Sequence, residues 1–350
     1  MSERFAGCEV PNASGRLGVV HLVWGPLGTT PLKAFLDAYR ALPAGAAHEL
    51  IVVLNGVGAR QAPAADASRA SLLKELEVVE HRLIELERPV LDLAAYRLAA
   101  TRLEHDRLCF LNSYSQPLTH GWLELLSKAA DEPGVGMVGA TGSWASHSSH
   151  MRYLVGLGGP YARLYGDRAT VRSVFAPSPA VMAQADEDRT RAPVLELASR
   201  FAAARLLLTR FPAFPDPHLR SNAFLIDREL MLRLDCGRLA DKTDTYLLES
   251  GRRSLTRQVE RAGRRVVVVG RDGVSYGPRD WARSRTFWQG SQENLIIADN
   301  QTRGYRQAGL DVRRTLSYHA WGEQAAPDAP GSGLGEGALT TDGWHADQRG

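Results

Sequence analysis

Residues 107–144, RLCFLNSYSQPLTHGWLELLSKAADEPGVGMVGATGSW, decide how the rest of the chain is read. Residues 108–111 form a short apolar run of the kind a buried strand uses. Asn112, Ser113, Ser115 and Pro117 interrupt it with turn chemistry. Trp122, Leu123, Leu125, Leu126 and Ala129 recur at helical spacing, Pro133 and Gly134 stop that helix, and residues 135–138 start another apolar strand. Strand, polar turn, helix and strand make the repeating unit of an open α/β sheet. Such sheets bind ligands at the carboxyl ends of their strands, which makes Asn112, Ser113 and Ser115 the first candidate contacts.

Upstream the same grammar continues. LGVVHLVW (17–24) predicts a strand, followed by a turn over 25–30. Thr30 suits an N-cap and Pro31 the first helical position, with Leu32, Phe35, Leu36 and Tyr39 on one face of a helix reaching about Leu42. ELIVVL (49–54) predicts the second strand, ending in Asn55-Gly56. A helix is expected over 67–79, with Asp66 as its cap, then a strand at 83–86 and a helix over 92–103. The turn at 25–30 has neither G-x-G-x-x-G nor a P-loop, so it reads equally as a nucleotide-binding or a plain connecting loop.

The order of these features resembles the family 2 nucleotide-sugar glycosyltransferases. Members carry a strand ending in Leu-Asn-x-Asp-x, a helix with Trp-Leu near its start, then Asp-Pro-x-Val-Gly and a strand ending in Gly. The matching residues are Leu111, Asn112, Ser113, Tyr114 and Ser115, then Trp122 and Leu123, then Glu132, Pro133, Gly134, Val135 and Gly136, and finally Val138 and Gly139. The likeness spans 17–276 and is strongest over 107–139 and 244–269. It implies an α/β fold: a single Rossmann-like nucleotide-sugar transferase domain with a mixed, mostly parallel central sheet flanked by helices. It also implies a nucleotide-sugar donor, an acceptor hydroxyl on a glycan or small molecule, and an inverting displacement. A divalent metal, Mg²⁺ or Mn²⁺, is implied at the family's usual Asp, where this chain has Tyr114. A phenol is a poor ligand for a hard ion that wants carboxylate oxygen.

By the same resemblance, the ends of the first two strands, Trp24 and Asn55, meet base and ribose. Members usually have an acidic residue near Asn55. Asp92 or Arg97 touches the donor, although Asp92 also reads as a helix cap. His218, Arg220 and Asn222 alternate on the approach to the acceptor side, where a cation would meet the departing diphosphate. The alternative there is a turn with Arg220 solvated. Before a helix at 254–262, members show an acidic pair whose second residue is often the catalytic base; here Glu249 is followed by Ser250. Of the two, only Glu249 is able to take a hydroxyl proton near neutral pH, with Asp244 in reserve. Glu249 reads alternatively as a cap or as a partner of Arg252 or Arg253. Arg252 is a further phosphate candidate. Phe287, Trp288, Leu295 and Ile296 suggest a helix by spacing, and Asp299 reads as a cap. His147 and His150 are three apart, a spacing compatible with a metal but lacking a third ligand.

The totals narrow the classes. The 350 residues are 44% hydrophobic and 23% charged, ordinary for a globular protein. A net charge of +3 does not argue for nucleic acid. The three cysteines, Cys8, Cys109 and Cys236, have no metal or disulfide spacing, and no run approaches the roughly 18 apolar residues of a membrane span. The first residues lack a signal-peptide pattern, so a cytoplasmic location is expected. The expected layout is a lead-in over 1–16, one domain over 17–322 (a nucleotide-sugar-binding half to 144 and an acceptor half from 145), and a disordered tail over 323–350. Oligomeric state is left open. A catalytically inactive relative that binds nucleotide sugar or glycan is the alternative function, with a nucleotidyltransferase behind it.

Overall fold

The computed structural model describes residues 16–57, 63–154, 157, 159–164, 208–237, 239 and 241–326. The lead-in before Arg16, residues 58–62 and 165–207, and the tail from 327 lie outside them.

The strands are β1 (Leu17–Trp24), β2 (Glu49–Asn55), β3 (Arg82–Glu85), β4 (Arg107–Leu111), β5 (Gln116–Pro117), β6 (Val135–Gly139), β7 (Gly142–Ser143), β8 (His218–Leu219), β9 (Ala223–Asp227), β10 (Arg265–Val269), β11 (Ser275–Tyr276) and β12 (Ile297–Ala298). The eight-stranded sheet runs β11-β10-β6-β9-β4-β1-β2-β3. Strands β3, β2, β1, β4, β6 and β10 share one direction, and β9 and β11 oppose it. The sheet is therefore mixed and mostly parallel, as the resemblance implies.

Helices α1 (Thr30–Ala41), α2 (Pro63–Leu76), α3 (Asp92–Arg102), α4 (Trp122–Asp131), α5 (His147–Leu154), α6 (Tyr161–Leu164), α7 (Arg228–Arg233), α8 (Lys242–Ser250), α9 (Leu255–Arg261), α10 (Asn300–Gln307) and α11 (Leu310–Trp321) complete the described fold. Strands covered on both faces read as continuous apolar runs, and β1 shows why. Val19 and Val23 pack with Phe35 of α1 and Leu126 of α4. Val20 and Leu22 pack on the other face with Leu93 and Tyr96 of α3. Burying a side chain of this size contributes roughly 1.5–3 kcal/mol, so the alternation fixes the register as well as the layers.

Two features place the site. The chain runs β1-β2-β3 outward, then returns to lay β4 on the other side of β1. That reversal opens a crevice between the carboxyl ends of β1 and β4. Strand β9 then inserts antiparallel between β4 and β6, with Ala223 opposite Leu111. Its direction brings residues 220–222, which precede it, to the same rim.

Several expectations shift. Thr29, not Thr30, precedes α1, and its side chain makes no capping bond. Asp92 is the first residue of α3, behind Leu91. Residues 242–250 form α8, where local sequence suggests only a lead-in to the next helix; Asp241 caps it by accepting from the Asp244 N–H (3.0 Å). The expected helix through Phe287 and Ile296 is absent. Arg285, Trp288 and Gln292 take positive φ there (54°, 44° and 56°). Side-chain amides replace helical bonds in that segment: Gln289 Nε2 donates to the Ala282 and Gln324 carbonyls, and Gln292 joins Trp288 N–H to the Thr302 carbonyl. Apolar spacing alone does not distinguish a helix from such a buried coil.

Candidate active site

The turn after β4 is built by its own polar side chains. Asn112 Oδ1 accepts from Tyr114 N–H (3.0 Å) and from Ser115 Oγ (3.0 Å), an Asx turn that presents residues 112–114 at the strand end. Ser115 Oγ is positioned to donate also to the Asn222 carbonyl (2.7 Å), and Asn112 N–H donates to the same carbonyl (3.0 Å). The turn is thereby tied to the approach of β9. Ser113 Oγ accepts from Trp24 N–H (2.9 Å), which ties it to the end of β1.

Above this turn lies a cleft of about 750 Å³, counting its open mouth. Trp24 and Leu27 form one wall, Val90, Leu91 and Asp92 a second, and Asn112, Ser113 and Tyr114 the floor. The third wall is one face of α8. Lys242, Thr245, Tyr246 and Glu249 stand at i, i+3, i+4 and i+7, the spacing that puts side chains in a row. Glu249 is half-buried and its Oε1 accepts from Ser221 N–H (2.7 Å), so a lining residue from the β9 approach orients the carboxylate. Trp24, Asp92, Asn112, Ser113 and Glu249 thus meet in one place, from four separate parts of the chain.

The other candidates do not line this cleft. Asn55 is fully buried: its Nδ2 donates to the Val90 carbonyl (2.7 Å) and its Oδ1 accepts from Val90 N–H (3.0 Å). It latches the Val90 wall instead of facing a ribose. Ser115 and Asn222 brace the turn from behind, Asn222 Oδ1 also accepting from Thr141 Oγ1 (2.7 Å). His218 is buried on β8 with Nδ1 against the Asp216 carbonyl (2.7 Å), and burial pushes its pKa down to about 4. Arg220 is buried, not solvated: it pairs with Asp299 (2.7 Å) and lies over the Phe287 ring (4.3 Å). Arg252 points away to the Thr209 carbonyl (2.9 Å) and is exposed. Asp244 is on α8 but outside the row that faces the cleft.

Sequence reasoning missed Lys242, Thr245 and Tyr246, whose signal was the helical spacing back from Glu249. It also missed the structural use of Gly56. With φ +74°, Gly56 lies under the Trp24 ring, and a Cβ there would come within 2.6 Å of it. Gly56→Ala is expected to lower the melting temperature, through about 1–2 kcal/mol of left-handed strain plus that clash, and to displace the Trp24 wall. Unchanged melting would refute this packing.

The donor set bears on the metal that the resemblance implies. At the expected ligand position the turn offers the Tyr114 phenol, with Asn112, Ser113 and Ser115 beside it. Among the described residues no group of three His, Cys, Asp or Glu side chains is placed to hold an ion, and His147 and His150 on α5 are no exception. These residues do not fit a carboxylate-held divalent cation.

No family model matches the chain, and no curated protein matches it. Solved structures similar to it include a mannosyltransferase from Pyrobaculum calidifontis in complex with GDP-Man and Mn²⁺ (12% identity, 81% of this chain and 63% of that one, TM-score 0.38). Another is glucosyl-3-phosphoglycerate synthase from Mycobacterium tuberculosis with Mn²⁺, UDP and phosphoglyceric acid (15% identity, 62% of this chain and 57% of that one, TM-score 0.32). This chain therefore spans less than two thirds of the length of either, and the fold assignment rests on the sheet order itself.

Proposed function

We propose that this chain is a glycosyltransferase that moves a sugar from a nucleotide-diphosphate sugar to a hydroxyl of a glycan or small-molecule acceptor. One observation carries the reading: Glu249 and the 112–114 turn, 135 or more residues apart in sequence, line a single cleft at the sheet's switch point. The residue resemblance over 107–139 and 244–269 supports it independently. The lining suits such a donor. Trp24, Leu27 and Leu91 offer apolar and aromatic surface for a base, and Asp92 with Asn112 and Ser113 offers acceptors and donors for hydroxyls.

In the proposed displacement, Glu249 accepts the proton of the acceptor hydroxyl as its oxygen bonds to the anomeric carbon. The bond from that carbon to the phosphate oxygen breaks, and nucleoside diphosphate leaves. The hydrogen bond from Ser221 N–H holds one carboxylate oxygen, and the other accepts from no described residue. A base with one oxygen fixed and one available is oriented before the acceptor arrives.

A thermal-shift panel of nucleoside diphosphates and nucleotide sugars, followed by measurement of nucleoside diphosphate release, tests the reading. One nucleotide is expected to raise the melting temperature, by linkage of binding to folding, and its sugar conjugate to be turned over. Binding without release across acceptors would favour the non-catalytic alternative, and stabilisation by no nucleotide would end both.

A further inference from the structure

The Tyr114 turn has no carboxylate where the resemblance implies a metal ligand, yet it has cations beside it. Strand β5 pairs antiparallel with β12, Gln116 opposite Ala298, so the chain entering α10 runs alongside the turn. Arg303, one turn into α10, donates through Nη1 to the Tyr114 carbonyl (3.1 Å) and to Gln116 Oε1 (2.8 Å). Its Nε and Nη2 donate to no described residue and are not closed off from solvent. The guanidinium is thus anchored by one nitrogen, with two left to present.

Behind it, Arg220 donates through Nη2 to Asp299 Oδ2, and its Nη1 is buried without a partner. Asp299 is fully buried. Burial alone would raise its pKa, but Arg220 and the Thr302 N–H outweigh it, so the carboxyl titrates below the usual range. Asp299 therefore stays ionised and balances one guanidinium, which leaves one positive charge over among these three side chains.

We infer that Arg303, anchored on the carbonyl of the cleft residue Tyr114 and backed from the interior by the Arg220–Asp299 pair, holds the donor's diphosphate where a carboxylate-bound metal ion would otherwise sit, so that nucleotide binding needs no divalent ion. The inference rests on the proposed nucleotide-sugar reading of the cleft. Guanidinium suits this role because it is always charged, its planar fork matches phosphate oxygens, and it keeps its strength in a partly dry site. It would also stabilise the charge that builds on the leaving diphosphate.

The test is titration calorimetry on the full chain in EDTA. The probes are UDP, GDP, ADP, CDP and dTDP and the matching monophosphates. The wild type is expected to bind one diphosphate in EDTA, with little change when Mg²⁺ or Mn²⁺ replaces the chelator. Arg303→Gln is expected to lose about 10- to 100-fold in diphosphate affinity, the worth of a charge-assisted hydrogen bond, while keeping its monophosphate affinity. Arg303→Lys should recover part of the loss. Diphosphate binding abolished by EDTA would overturn the inference. So would an equal loss of mono- and diphosphate in Arg303→Gln, which would mean that Arg303 merely braces the turn. A wild type that binds none of these nucleotides would instead overturn the reading of the cleft, and the inference with it.

Discussion

Glu249→Gln is expected to lower the rate of nucleoside diphosphate release by about 10²- to 10⁴-fold, the usual contribution of a positioned general base. Nucleotide affinity should barely change. The amide is nearly the same shape, and its carbonyl oxygen still accepts from Ser221 N–H, so the cleft keeps its form. What is lost is the capacity to take a proton. Asp244→Asn is the control, because Asp244 is outside the row of α8 that lines the cleft. Measured on the nucleotide sugar that stabilises the protein, near-normal turnover in Glu249→Gln would remove Glu249 from the chemistry. A fall of similar size in Asp244→Asn would transfer the role.

The second large effect concerns acid stability. His21 on β1 is fully buried, stacked on Phe35 with ring centroids 3.7 Å apart, and neither ring nitrogen has a partner. Burial pushes its pKa from 6.5 down to about 3. The folded state therefore holds a neutral imidazole where the unfolded chain takes up a proton below pH 6.5. The stability that this contributes is complete above pH 6.5 and is lost as the pH falls toward 3. Within that window the loss approaches about 1.4 kcal/mol per pH unit. His21→Phe keeps an aromatic ring on Phe35 and removes the proton. Denaturant unfolding at a series of pH values should show the variant's stability falling less steeply below pH 6.5, whatever constant offset the larger ring imposes. Parallel curves for the two proteins would show that His21 titrates normally.

His21 also illustrates what a linear reading misses. In LGVVHLVW it sits in a strand whose apolar period is obvious, and nothing local says which face it takes or that its nitrogens go unanswered. Asn55 is similar. A polar residue at the end of the second strand is where a ligand contact is expected, yet its amide closes both bonds on Val90, 35 residues away. Glu249 is expected in the cleft from the 244–269 block, where it stands at the first position of the family's acidic pair and Ser250 at the second, and it does line the cleft. Its neighbours in the cleft wall were not read, since the apolar residues Leu247 and Leu248 obscured the helical spacing of Lys242, Thr245 and Tyr246.

The layering of the sheet, the β4-turn-α4-β6 unit and the capped start of α9 at Ser254 were all written in local order. Apolar period, turn chemistry and caps act within a few residues, so the chain carries them openly. Arg303 shows the opposite case. It reaches Tyr114 across 189 residues, and only the pairing of β5 with β12 brings the two together. Which strand ends adjoin, and which donors and acceptors are left over once the interior has matched its own, depends on the whole packed arrangement. Those leftovers are what a substrate meets, so the elements could be read one by one while the cleft had to be seen assembled.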